Sequence, residues 1–136
     1  MQAAAVNYPS TSAMAGVAAY GRAAQSALSP AQASLILHER LCQEVMAAKA
    51  AYEAKRLDTM CRHLEKTTRV LLALQNDINL KPGYINGVIL SGFYLHLHSS
   101  LTAILRNKDV PAAYDEVIGK MQMFNNKLSA AARAAA

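Results

Sequence analysis

Residues 57–79 carry the pattern that most limits how this chain can fold. Leu57, Met60, Leu64, Thr67, Leu71, Leu74 and Ile78 recur at alternating steps of three and four. That spacing lays one continuous stripe along a helix, and the two-residue period of a strand cannot produce it. Asp58, Arg62, His63, Glu65, Lys66, Arg69, Gln75 and Asp77 fall between those positions and form a wettable opposite face. At about 1.5 Å per residue such a helix spans roughly a domain diameter. Its seam is narrow, with Cys61, Thr68 and Leu72 alongside, and it calls for partner helices rather than a ligand.

The rest of the chain supplies those partners. Ser29-Pro30-Ala31-Gln32 reads as a helix start, with Ser29 as cap, Pro30 at the first helical position and Gln32 completing a capping box. Leu37, Leu41, Val45, Ala48 and Tyr52 form the inner stripe of this first helix, with Leu35, His38, Cys42 and Met46 beside it. No Gly or Pro separates it from the second helix. Continuing its stripe past Tyr52 nevertheless lands on Lys55, Thr59 and Arg62, all polar. The stripe restarts at Leu57 in a shifted register, which predicts a turn near Glu53–Arg56.

Asn79-Leu80-Lys81-Pro82-Gly83 breaks the second helix. The third, expected over about Tyr84–Asn107, is apolar on two sides. Leu90, Tyr94, Leu97, Leu101 and Ile104 form one stripe, and Ile85, Val88, Gly92 and Leu95 form another. Asp109 and Pro111 mark a new start, after which Val110, Tyr114, Val117, Met121, Phe124 and Leu128 make a fourth stripe. Short connections favour antiparallel neighbours, so the expected fold is all-α, an antiparallel up-down four-helix bundle over residues 29–128. Residues 1–28 are rich in small and polar types and read as a flexible N-terminal segment. Tyr20 is its one aromatic placed to tuck into a groove. Residues 129–136 read as an Ala-rich fraying tail.

Composition narrows the function classes. Hydrophobic residues make up 53% of the 136, much of that alanine, with two Phe and no Trp. The net charge of +5 is scattered rather than gathered on one helix face, which argues against a nucleic-acid binder. Cys42 and Cys61 lie on different helices without CxxC spacing, so neither a disulfide scaffold nor a structural zinc site is expected. The N-terminus has no Lys or Arg before Arg22 and no leucine-rich core, so no secretory signal is expected. The apolar run Val88–Leu105 is interrupted by His96, His98, Ser99, Ser100 and Thr102, unlike a membrane span. A soluble, cytoplasmic protein without membrane insertion is expected.

No catalytic set emerges. His38-Glu39-Arg40-Leu41-Cys42 opens like a zinc-protease HExxH, but Cys42 stands in the second histidine's place. His96 and His98 are two residues apart and point away from each other on a helix. The glycines at 83, 87 and 92 follow no strand and make no phosphate loop. The expectation is no enzyme, no metal and no cofactor. The anomaly is the third helix, because a bundle core needs only one stripe per helix. Its second stripe must be covered by the core itself, the N-terminal segment, another subunit or a client.

The order of these features resembles a known family. Ala19-Tyr20, then Ser29-Pro30 with Leu35-Ile36-Leu37, resembles the opening of the flagellar export chaperones of flagellin, the FliS family. His63-Leu64-Glu65-Lys66 to Leu74-Gln75-Asn76-Asp77-Ile78-Asn79 is similar to that family's second helix. Gly83 with Ile85-Asn86 and Phe93-Tyr94-Leu95 is similar to its third. Asn107-Lys108-Asp109 with Asp115-Glu116-Val117 is similar to its last turn and fourth helix. The chain departs from the pattern at His38, usually aromatic, in the Glu53–Arg56 turn, which lacks the usual glycine, and in a fourth helix without tryptophan.

The resemblance implies a cytosolic chaperone that binds the C-terminal segment of unpolymerised flagellin in an apolar groove. It would prevent premature assembly and hand its client to the flagellar export apparatus for type III secretion. The client-binding candidates are Ile85, Val88 and Leu95 on the third helix's second stripe, with Tyr20 as a lid over the groove. The alternative is a structural or regulatory bundle that homodimerises through the same surface, so the oligomeric state stays open.

Overall fold

The computed structural model describes residues 30–79 and 87–135, and all side chains there except those of residues 30, 31, 78, 79, 87, 88 and 135. Among these residues the chain forms helices α1 (Pro30–Glu53), α2 (Leu57–Asn79), α3 (Gly87–Thr102) and α4 (Val110–Ala135), with a 3-10 turn at Ile104–Arg106. No strand is present among them.

The turn expected at Glu53–Arg56 is built as a Schellman motif. Arg56 N–H donates to Ala51 O at 2.8 Å and Lys55 N–H to Tyr52 O at 2.9 Å. These bonds satisfy the last carbonyls of α1. The motif needs one residue in the left-handed region, and Lys55 occupies it with φ 61°. Arg56 O then accepts the first bond of α2, from Met60 N–H at 3.0 Å. The register shift in the stripes is thus resolved within three residues.

Pairs across the seams fix the topology. Lys49 meets Asp115 at 2.8 Å and the His38 ring lies 5.0 Å from that of Phe124, so α1 and α4 run antiparallel. His63 Nδ1–H donates to Glu44 at 2.7 Å between α1 and α2, and Gln75 bonds Ser91 between α2 and α3. Lys120 meets His96, and Phe124 meets Phe93, between α3 and α4. The arrangement is an up-down four-helix bundle. Helix α1 packs along both α2 and α4, whereas α3 packs along α2 and only touches α4.

The core follows the stripes. Leu37, Leu41, Val45, Ala48, Met60, Thr67, Leu71, Tyr94, Leu97, Leu101, Ile104, Tyr114 and Met121 are buried. Thr67 belongs there because its hydroxyl donates to His63 O within its own helix at 2.9 Å. Leu57 does not join the core. It stands on the first turn of α2, at the end of the bundle, and is 49% exposed. Cys42 is buried and Cys61 exposed, both as free thiols.

The third helix ends at Thr102, five residues before the expected Asn107. The chain tightens there into the 3-10 turn, which keeps Ile104 buried while Asn107 Nδ2–H donates back to Ile104 O at 3.0 Å. Asp109 then caps α4, its carboxylate accepting Ala112 N–H at 3.1 Å. Helix α4 continues through the tail expected to fray. Alanine is the strongest helix former, Arg133 bonds Ser129 one turn back, and Ala132 is buried. The N-terminal segment, its Ser29 cap and the breaker from Leu80 to Gly83 lie outside the described residues. No helix among the described residues is long and apolar enough to cross a membrane.

Candidate functional site

Helix α3 is apolar nearly all round, so its two faces can be compared on one element. The inner face is Tyr94, Leu97 and Leu101, continued by Ile104, all buried. It is tied to three other helices. On one flank Gln75 donates to Ser91. On the other, Phe93 stacks on Phe124 with ring centroids 4.5 Å apart, and Lys120 Nζ donates to His96 Nε2 at 2.9 Å. Across the bundle, Tyr94 meets His38 of α1, Oη to Nε2, at 2.8 Å.

The His38 bridge has a defined proton arrangement. Nδ1 lies 2.7 Å from Ser34 O, which can only accept, so Nδ1 carries the proton. Nε2 is then the acceptor and Tyr94 O–H the donor. Burial holds the imidazole below its ordinary value of 6.5, partly opposed by the Ser34 bond, which favours the charged form. A neutral histidine here fills the place of an aromatic and stacks like one, 5.7 Å from Tyr94. Both nitrogens are engaged, so His38 with Cys42 is core, not a metal pair. No group of three or more His, Cys, Asp or Glu side chains among the described residues is placed to hold a metal ion.

The outer face presents Gly92 and Leu95 to solvent, with Ile89 on the flank facing α4. Ile89 is 73% exposed and Leu95 52%. A Cβ built on Gly92 would meet nothing within 4 Å, so the glycine leaves a shallow dip between these two side chains rather than admitting a neighbour. Glycine inside a helix costs about 1 kcal/mol relative to alanine, and no packing inside the bundle requires it here. Towards the C-terminal end the α3–α4 seam opens into a cleft of about 340 Å³ lined by His96, Ser99, Ser100, Asn107, Glu116 and Lys120, among others. Lys120 is held there between His96 and Glu116, the latter at 3.4 Å. The arrangement offers exposed apolar side chains on one helix with a cleft of mixed polar and apolar lining beside it. Such a surface recognises an amphipathic segment by apolar anchors and a few polar contacts.

Of the residues singled out in the sequence, Leu95 lies on this exposed strip. Val88 is on the first turn of α3 with its side chain outside the described residues, and Tyr20 and Ile85 lie wholly outside them. Ile89 was not singled out. It sits three residues before Gly92, a spacing that places it beside the second stripe, but the sequence alone does not tell exposed from buried there. Exposed Leu72 on α2 and Met123 on α4 were likewise not foreseeable from their stripes.

Residues 13–134 match the family model described as "Flagellar protein FliS". No curated protein and no solved structure matches the chain.

Proposed function

The chain belongs to the FliS family, a family of flagellar chaperones, and from that premise we propose that it binds the C-terminal segment of unpolymerised flagellin on the outer face of α3. Ile89, Leu95 and the dip at Gly92 receive an apolar ridge of the client, with Ile85 and Val88 as further client contacts. Tyr20 competes for the same strip as a lid. Acting in the cytoplasm, the protein keeps flagellin from assembling early and passes it to the export apparatus. The observation that carries this reading is the exposure of Ile89 and Leu95 on a helix whose core contribution is already complete. Large apolar side chains left exposed on a helix whose core stripe is already buried offer an interaction surface.

The test is assembly itself. Added in stoichiometric amounts, the full chain should suppress polymerisation of purified flagellin and form a complex with its isolated C-terminal segment. Polymerisation that proceeds unchanged, with no complex seen by calorimetry, would remove flagellin as the client. Self-association of the chain blocked by Leu95→Ser would instead assign the strip to a homodimer.

A further inference from the structure

The cleft in the α3–α4 seam lies on the same flank of α3 as Ile89. Ile89, Phe93, His96 and Ser100 recur at steps of four, three and four, so they stack along one edge of that helix. Ile104 and Val117, both buried, give the cleft an apolar base. At about 340 Å³ it lies near the lower bound of ligand pockets, roughly 300 Å³. That is room for a side chain and the turn that carries it, not for a large cofactor.

The polar groups around this base have hydrogen-bonding capacity to spare. Serine and threonine inside a helix commonly donate back to the carbonyl four residues earlier. Thr67 and Thr102 do so, at 2.9 and 2.7 Å. The hydroxyls of Ser99 and Ser100, which line the cleft, make no hydrogen bond among the described residues. Asn107 turns its amide N–H groups onto Ala103 O and Ile104 O, which can only accept, and its Oδ1 is left as an acceptor. Lys120 donates to His96 Nε2, so the imidazole proton sits on Nδ1 and that nitrogen is a donor. Lys120 also faces Glu116 at 3.4 Å, so the lysine and the carboxylate that line the cleft offset each other in charge.

We propose that the cleft receives a primary carboxamide, the glutamine or asparagine side chain of a bound segment. The proposal rests on the reading of the α3 surface as a client site and assigns that site a second, polar anchor. An anionic group would meet the Glu116 carboxylate and Asn107 Oδ1. A cationic group would meet Lys120. A hydrocarbon would strip water from the two serine hydroxyls and give them no partner. A hydroxyl offers a single donor and leaves part of the set unmet. A carboxamide brings N–H donors for Glu116 and Asn107 and a carbonyl for the serines or His96 Nδ1–H, while its stem lies on Ile104 and Val117. A segment laid along this flank would place an apolar residue on Ile89 and the carboxamide about three helical turns further on.

The full chain, isotope-labelled, should be titrated with butyramide and three analogues of similar size, butyrate, butylammonium and 2-pentanone. Amide shifts at residues 96–107 and 113–120 are expected with butyramide, and each analogue should bind about tenfold more weakly. Ser99→Ala with Ser100→Ala raises helix propensity and keeps the fold, yet should cost butyramide about tenfold in affinity. Glu116→Gln removes the carboxylate and should bring butyrate level with butyramide. No binding of butyramide, equal binding of butyrate or butylammonium to the wild-type chain, shifts elsewhere on the surface, or an unaffected serine variant would each overturn the proposal. None of these titrations uses flagellin, so they decide the chemistry of the cleft even where flagellin fails as the client. With flagellin's C-terminal segment as ligand, the serine variant should again lose about tenfold in affinity. A segment that binds the wild-type chain and this variant equally would overturn the cleft's part in the client site.

Discussion

The two faces of α3 are chemically alike and structurally opposite. Leu97 and Leu95 lie two residues apart on the same helix, yet one is 1% and the other 52% exposed. The inner face is constrained on every side, by α2 through Gln75–Ser91, by α4 through Phe93–Phe124 and by α1 through the His38–Tyr94 bridge. Among the described residues, no side-chain bond or ring contact ties Gly92 or Leu95 of the outer face to another helix. Apolar character on the inner face therefore stabilises the fold. On the outer face, where Leu95 is half exposed, it buries less area in the fold and is available for the proposed client contact.

The largest effect should come from the inner face. Leu97→Ala leaves a cavity at the centre of the bundle and should cost about 2–5 kcal/mol in urea melts. A loss no larger than that of Leu95→Ala would erase the distinction between the faces.

The His38 bridge sharpens the comparison through pH. Burial lowers the pKa of His38, so the unfolded chain takes up the proton before the folded one does. The stability it contributes is fully present above about pH 6.5 and is lost as pH falls through the folded value. Nuclear magnetic resonance titration should place His38 below the ordinary imidazole value, and His38→Phe should make stability less sensitive to acid. Titration at or above 6.5 would mean that the bridge is solvated and the inner face less closed than described.

Gly92 gives a smaller effect of opposite sign. Nothing lies within 4 Å of an added Cβ, so Gly92→Ala should stabilise the free protein by about 0.5–1 kcal/mol. The same methyl fills the dip and should weaken flagellin binding. If the variant gained stability and bound equally well, the dip would play no part in recognition.

Much of this was legible in the sequence because helical stripes are set by spacing alone. The α1–α2 turn was found without a glycine or proline because Tyr52 and Leu57 lie on incompatible registers. The inner stripe of α3 was legible for the same reason. Exposure was not. Spacing says that Leu95 and Leu97 face different ways, and only the packed bundle shows which way is outward. Leu57 fits its stripe perfectly well and is still half exposed, because the bundle ends there. The early end of α3 coincides with Asn107 bonding back to Ala103 O and Ile104 O, a local side-chain contact without periodic signature. The His38–Tyr94 bridge joins residues 56 apart in sequence, and no local pattern pairs them.

The central claim is that the outer face of α3 binds the client and does not hold the fold. Leu95→Ser tests it most directly, with calorimetric titration of flagellin's C-terminal segment beside denaturant melts of the free variant. The hydroxyl is solvated in the free protein and left without a partner beneath a bound apolar ridge. Stability should therefore change by less than about 0.5 kcal/mol, as for a surface substitution. Affinity should fall roughly tenfold to a hundredfold, the penalty of an unsatisfied buried group. Unchanged affinity, or a loss of stability as large as the loss of binding, would contradict the account.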